Sequence, residues 1–419
     1  MKIAGIDIGT TSICGIVLDT QSGKIVKSVT QNSNAFIKDC KAFEKLQSVD
    51  IIIEKAIAIM DSFLEDGIDA IGVTGQMHGI VYVDSLGNHL SPLYTWQDER
   101  GNEPYGDTTY AKYLQSASGY GKVTDFYNRE KGIRPQDAVA YCTIHDYFVM
   151  KLCSLKTPLI HDTNYASFGK DITHNDAEVT SGFALAGTYK GIPVSVAIGD
   201  NQASVFSTLA NEDSVLVNFG TGSQVSVISP REVTAENVET RPYFDGKYLV
   251  VGAALCGGRA YSMLKDFYAK VFSYIMPLED DGVYEIMNKM LSKNASPIDA
   301  DTRFAGTRRD QSITGSFGGI TEQNFTPEAL TAGVLKGMSQ ELYDMYINMN
   351  ISAKGLVGSG NGIRKNKALV KTVEEMFGHK MLIPCHVEEA ACGAALYAGV
   401  SSGIFKNSTE AHKLVRYEE

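Results

Sequence analysis

Two α/β domains built on one plan are predicted by three features of the sequence. The strings Ile6-Asp7-Ile8-Gly9-Thr10-Thr11-Ser12 and Asn218-Phe219-Gly220-Thr221-Gly222-Ser223-Gln224 each run from an apolar strand into a tight turn of glycine and hydroxyl residues. Both then return to apolar, strand-like sequence. The 419 residues are long for one core and comfortable for two. Short buried strands and helical stretches follow each turn, which fits a duplicated α/β plan better than one doubly wound sheet. The paired turns point to two phosphate-gripping hairpins serving one nucleotide held between the domains.

Residues 2–7, 12–18 and 24–30 read as a meander of three strands, with Ser22-Gly23 turning the second into the third. Residues 49–64 carry apolar side chains at helical spacing. A short buried strand over 71–74 runs into Gly75-Gln76-Met77-His78-Gly79, and another over 80–83 is closed by Leu86-Gly87-Asn88. Helices are expected over 108–118 and 138–152. Residues 161–176 lack a clear period and read as a loop. A buried strand over 194–198 ends at Gly199-Asp200-Asn201, and a helix runs from Gln202 to Leu209. The polar break near 211–213 gives domains of residues 1–211 and 212–419. The pattern then starts again, with strand 214–219, turn 220–223, strand 224–228 and an apolar run at 249–254. Helices are expected over 260–272, 281–291 and 326–350, the last with Pro327 in its first turn. Leu356-Val357-Gly358-Ser359-Gly360 ends a strand in a glycine turn, a helix follows over 365–376, and 388–399 is an alanine-rich helix with small faces.

A formal net charge of -11 argues against DNA, RNA or an anionic membrane as the main partner. A nucleotide remains open, because backbone N–H groups and a metal ion can hold phosphates locally. The seven cysteines show no CxxC spacing and read as buried thiols in a reducing compartment. No signal peptide precedes the first strand and no apolar run approaches membrane-span length, so the cytoplasm is the expected location. The P-loop pattern is absent. Gly358-Ser359-Gly360-Asn361-Gly362 is a weak dinucleotide signal, because it comes late and lacks a surrounding βαβ pattern.

Asp7 lies at the mouth of the first turn, where a carboxylate would repel phosphate unless a cation intervened. It therefore reads as a holder of hydrated Mg2+, with Gly9, Thr10, Thr11 and Ser12 presenting N–H groups and hydroxyls to phosphate. An ordinary strand-to-turn aspartate is the alternative. Gly220, Thr221, Gly222 and Ser223 form the complementary half of the clamp, or a turn kept tight by glycine alone. Asp200, between a buried strand and a helix, can accept a proton from an alcohol attacking a γ-phosphoryl group. It could equally be a helix N-cap. Gln76, Met77, His78, Trp96 and Asp98 combine amide, aromatic, base and carboxylate, as a polyhydroxylated substrate requires. The competing reading makes Met77 and Trp96 core and the Asp98-Glu99-Arg100 run solvated surface. His145-Asp146 and His161-Asp162 are superficial acid/base pairs, and His145 reads as a satisfied helical histidine. Arg308-Arg309-Asp310 is a candidate functional loop.

These strings, with Pro92-Leu93-Tyr94-Thr95-Trp96-Gln97-Asp98 and Glu388-Glu389-Ala390-Ala391-Cys392-Gly393-Ala394-Ala395, resemble the FGGY carbohydrate kinases of the actin-like ATPase superfamily, in family order over nearly the whole chain. The resemblance implies an α/β fold of two ribonuclease-H-like domains flanking a central nucleotide and sugar cleft. It implies ATP and Mg2+ as cofactors and a small ketose or polyol as partner, and leaves a homodimer open. It makes Asp200 the general base, sets Asp7 near the metal, and carries Gly358, Ser359, Gly360 and Asn361 to the adenosine side. Met77, His78, Trp96 and Asp98 become sugar-pocket candidates. Gln-Met-His-Gly is similar to the xylulokinase branch, whereas Thr-Trp-Gln-Asp looks more like sedoheptulokinase. A non-catalytic sugar sensor or actin-like interaction protein is the alternative of another class.

Overall fold

The turn after Ile8 joins strand Lys2–Ile8 to strand Ser12–Asp19 as an antiparallel hairpin, with Ile8 opposite Ile13 and Lys2 opposite Asp19. The computed structural model describes residues 1–274, 280–291, 295–307, 310 and 312–418. The hairpin belongs to the first of two units, made of Met1–Ala210, Arg241–Gly246 and Glu388–Arg416. The second unit comprises Asn211–Thr240, Lys247–Val387 and Tyr417–Glu419.

In the first unit the strands lie in the order Leu185–Tyr189, Ile192–Ser195, Ala70–Gly75, Lys2–Ile8, Ser12–Asp19, Lys24–Asn32. Ala70–Gly75 runs parallel to Lys2–Ile8 and is buried throughout, as a strand covered on both faces must be. Helix Val49–Leu64 covers one side with Ile52, Ala56, Ile59, Met60 and Phe63. Helix Glu389–Ser401 returns from far along the chain to pack on the same sheet. A Cβ at Gly5 would meet the Ala391 carbonyl and one at Gly72 the Ala394 carbonyl, so glycine permits this close approach.

The second unit repeats the arrangement with Tyr248–Ala254, Ser223–Ser229, Ser214–Phe219, Gly355–Ser359 and Met381–Leu382 side by side in that order. Gly355–Ser359 is parallel to Ser214–Phe219, and Met381–Leu382 is parallel to Gly355–Ser359. The expected duplication of an α/β plan is therefore present. Helix Pro327–Asn348 starts with Thr326 accepting from the Ala329 N–H and with Pro327 in its first turn.

Several local expectations are corrected. The helix over 108–118 reduces to Tyr110–Tyr113, and the substantial helix is Gly121–Glu130. Gly121 opens that helix without a side-chain cap, so the usual start signal is missing. The stretch 138–152 is strand Ala140–Cys142 followed by helix Ile144–Cys153, separated by a capping box between Thr143 and Asp146. A buried apolar run does not distinguish the two by periodicity. Residues read as a loop from 161 contain a helical turn at Asp162–Tyr165 and a 3-10 turn at Ala166–Phe168. Cys14, Cys142, Cys256 and Cys392 are buried thiols, but Cys385 is exposed.

Candidate active site

Register decides what meets at the end of the first sheet. Ile8 pairs with Gly75, and Gly75 pairs in turn with Gly199, all in parallel. Asp7, Gln76 and Asp200 therefore sit at the carboxyl ends of adjacent parallel strands, the usual ligand-facing end of such sheets. Asp200 is the first residue of helix Asp200–Thr208, and Gly199 is its N-cap. The N-cap alternative for Asp200 is thus removed.

Burial pushes the Asp7 carboxyl up to about 7, aided by the nearby carboxylates of Asp200 and Glu388. Burial likewise raises Asp200 to about 6, opposed by Arg241 and by a backbone hydrogen bond at Asn201. Cys14 donates to Glu388 Oε2 across 3.2 Å. A carboxylate repelled by two neighbours, as Asp7 is, is stabilised by a proton or by a cation. A Mg2+ ion needs only one or two carboxylates and retains waters for phosphate, and Asp7 would be the carboxylate to hold it. Among the described residues no group of three or more His, Cys, Asp or Glu is placed to hold a metal ion by itself.

The turn itself is tied to the candidate sugar residues. Trp96 Nε1 donates to Thr10 Oγ1 at 3.0 Å, and Thr10 Oγ1 donates to Gln76 Oε1 at 3.3 Å. Gln76 Nε2 donates to Gln47 Oε1 at 2.9 Å, and Gln47 Nε2 donates to the Thr10 carbonyl at 2.7 Å. Trp96 is 45% exposed, so it does not fill core and its ring is open to a ligand. Thr11 is exposed, whereas Gly9, Thr10 and Ser12 are partly buried. Gln47 was not singled out in the sequence. Its neighbours Glu44, Lys45 and Ser48 are polar too, so nothing in the sequence marks it out.

Met77 is buried and abuts Gly199, where a Cβ would lie 2.8 Å from the Met77 sulfur. His78 adopts φ 73°, stacks on Tyr120 at 4.2 Å, and places Nδ1 2.7 Å from the Ser167 carbonyl. A carbonyl only accepts, so His78 Nδ1 carries the proton. Positive φ at a non-glycine in such a motif marks a conformation held by its surroundings.

Asp98 is buried and occupied. Oδ1 accepts from Arg100 N and Nε, and Oδ2 accepts from Arg100 Nη2 and Lys45 N. Arg100 is 1% exposed, lies 4.2 Å over the Tyr94 ring and donates to Asn128. The Asp98-Glu99-Arg100 run is therefore not solvated surface as a whole. It is an internal brace for the loop that displays Trp96.

In the second unit, Gly220 N donates to Gly222 O at 3.0 Å, closing the turn. Gly258 N and Arg259 N donate to the carbonyls of Gly220 and Thr221, seating the turn against the start of helix Gly257–Ser273. Asn218 Nδ2 donates to Ser359 Oγ at 2.7 Å, so residues 220–223 and 358–361 are brought to one end of that sheet. Thr221 and Asn361 are exposed there, while Ser223, Gly358 and Ser359 are buried. Gly360 has φ 85°, and a Cβ there would lie 2.6 Å from the Phe219 carbonyl, so only glycine suits the position.

His145 is fully buried, and burial pushes its imidazole down to about 4, which keeps it neutral. Neither ring nitrogen meets strict hydrogen-bond geometry, although the Asn164 side chain lies close enough to favour the charged form against burial. Arg308 and Arg309 lie outside the described residues.

Comparison with known proteins places this geometry in context. Residues 2–157 match the model of the FGGY family of carbohydrate kinases, N-terminal domain. The chain is 27% identical to sedoheptulokinase of Mus musculus, covering 94% of this chain and 96% of that protein. It is 23% identical to a xylulose kinase of Staphylococcus epidermidis, covering 96% and 88%. The solved xylulose kinase of Rhodospirillum rubrum superposes with a TM-score of 0.87 at 16% identity, over 100% of this chain and 93% of that one. The two sheets share the ribonuclease-H-like plan of that fold. No described helix is long and apolar enough to cross a membrane.

Proposed function

Because the chain belongs to the FGGY family of carbohydrate kinases, ATP-dependent phosphotransferases, we propose that it phosphorylates the terminal hydroxyl of a ketose, with sedoheptulose the favoured substrate. The observation that carries this reading is Asp200. It stands on a rigid strand-to-helix junction, beside Asp7 and the Gln76 to His78 segment, with its carboxyl raised to about 6. A general base works best when its pKa lies near the working pH.

The sugar's terminal oxygen forms a bond to the γ-phosphorus while the bond from that phosphorus to the β,γ-bridging oxygen breaks. ADP departs, and the hydroxyl proton passes to Asp200. Asp7 would hold Mg2+, which neutralises phosphate charge when bound. Trp96 offers its exposed face to the sugar, and Gln76, Met77 and His78 shape the pocket beside it. Asp98 acts through the loop that it braces. Gly9, Thr10, Thr11 and Ser12 approach the transferring phosphate. Gly220, Thr221, Gly222, Ser223, Gly358, Ser359, Gly360 and Asn361 take the nucleotide.

Sedoheptulose is favoured by the Thr95-Trp96-Gln97-Asp98 string and by the higher identity to a sedoheptulokinase than to a xylulose kinase. The test is sugar-dependent ADP release from MgATP with sedoheptulose, D-xylulose, D- and L-ribulose, fructose and glycerol. Highest kcat/KM with sedoheptulose is expected. Preference for D-xylulose or glycerol would replace the substrate but keep the kinase. ATP binding with no stimulation by any of the six would favour a non-catalytic sugar sensor.

A further inference from the structure

The two helical turns between His161 and Phe168 touch both halves of the first unit's candidate site. Thr163 Oγ1 accepts from the Gly199 N–H at 3.1 Å. Asn164 Nδ2 donates to the Ala197 carbonyl at 3.0 Å and to Asp146 Oδ1 at 2.9 Å. Asp146 is fixed in turn by the Thr143 hydroxyl at 2.6 Å. On the opposite strand, Thr74 Oγ1 donates to the Ile198 carbonyl at 2.7 Å. Residues 197–199, which deliver Asp200, are thus gripped at three successive backbone positions by side chains that are all buried.

The same short segment also holds His78. Ser167 Oγ accepts from the His78 N–H at 3.1 Å and donates to the Asn164 carbonyl at 2.7 Å, while the Ser167 carbonyl faces His78 Nδ1. Asn164 therefore belongs to both chains of contact, through its side chain toward Asp200 and through its carbonyl toward Ser167 and His78.

We propose that residues 163–167 form a bracket that sets the position of the Asp200 turn relative to His78, with Thr163 and Asn164 positioning the base and Ser167 positioning the sugar-side histidine. The proposal rests on the assignment of Asp200 and His78 to phosphoryl transfer and sugar binding. The three bracket side chains are buried, so the role proposed for each is positional. Each acts through a backbone group of the residue run that does. Thr163 lies in the turn Asp162–Tyr165 and Ser167 in the 3-10 turn Ala166–Phe168, so the bracket spans both turns.

The bracket predicts a division of kinetic effects that a general loss of stability would not produce. Thr163→Val keeps the shape but removes the acceptor for Gly199 N–H. It should lower kcat by about tenfold or more with the sugar KM changed less than about threefold. Thr163→Ser should recover most of the loss. Ser167→Ala should raise the sugar KM by about fivefold or more with kcat nearly kept. Hydrogen exchange of the full chain reads the bracket without activity: amides of 197–200 should exchange faster in Thr163→Val, and those of 77–79 in Ser167→Ala. Equal effects of Thr163→Val and Thr163→Ser, or unchanged exchange in both loops, would overturn the bracket. Asp200→Asn, assayed alongside, separates the two ideas. Near-normal transfer by that variant would overturn the base assignment while leaving the exchange result standing.

Discussion

Trp96 Nε1 donates to Thr10 Oγ1 across 3.0 Å, so one hydroxyl of the glycine turn orients the single tryptophan of the chain. Thr10 also donates to Gln76. Its side chain therefore serves the sugar-side residues while its backbone lies in the turn assigned to phosphate. Thr10→Val should release the indole and raise the sugar KM by about tenfold, with a smaller change in the KM for ATP. Trp96→Phe, which keeps a ring but loses the N–H, should give a smaller rise. Steady-state kinetics with each substrate varied in turn checks both.

Asp200→Asn should lower kcat by about a thousandfold while nucleotide binding persists. The substitution also removes a charge that burial disfavours. The melting temperature should therefore stay level or rise at pH 8. Calorimetry of ADP binding beside single-turnover transfer separates loss of chemistry from loss of fold.

The pH profile follows from the role proposed for Asp200. Asp200 must be ionised to accept a proton, and its carboxyl is raised to about 6. Single-turnover transfer should climb as pH rises through about 6 and then level off. Flat rates between pH 5 and about pH 8 would remove Asp200 from that role.

Stability moves in the opposite direction. Asp7 is raised in the folded state from 3.8 to about 7, so the folded protein binds a proton more tightly than the unfolded chain. Its contribution is present below the unfolded pKa and is lost as pH rises through about 7. Asp7→Asn should therefore increase stability at pH 8 without Mg2+ by roughly 1–2 kcal/mol, seen as a higher melting temperature, yet reduce transfer at least about a hundredfold. Added Mg2+ should stabilise the parent more than this variant. Thermal melts with and without Mg2+ measure both.

Arg100→Met should be the most destabilising of these changes. It leaves Asp98 buried with only the Arg100 and Lys45 backbone N–H groups among its present donors. Loss of about 3 kcal/mol is expected, and adding Asp98→Asn to it should restore part of that loss. Denaturant unfolding of the single and double variants tests this coupling.

The two hairpins were legible because each couples a buried alternating run to a glycine turn. Helix Val49–Leu64 was legible to the residue, since its apolar spacing begins directly after the Ser48 cap. The junction at Thr143 was not, because a buried strand and the buried first turn of a helix are equally apolar. Asp7, Gln76 and Asp200 stood out as polar residues ending apolar strands, and parallel register explains why they converge. Gln47, Thr163, Asn164, Ser167 and Glu388 did not stand out in this way. Their positions depend on contacts between segments far apart in sequence, and a hydroxyl or amide in a short helical turn carries no periodic signal.

The central claim is transfer of a phosphoryl group to a terminal ketose hydroxyl, and the product reports on it directly. The full chain would be incubated with MgATP and sedoheptulose, and the product examined by proton-coupled phosphorus NMR together with mass spectrometry. The account predicts one new phosphate monoester coupled to a CH2 group, formed in step with ADP and absent with Asp200→Asn. Inorganic phosphate beside unchanged sugar, or a phosphate on a secondary hydroxyl, would contradict it.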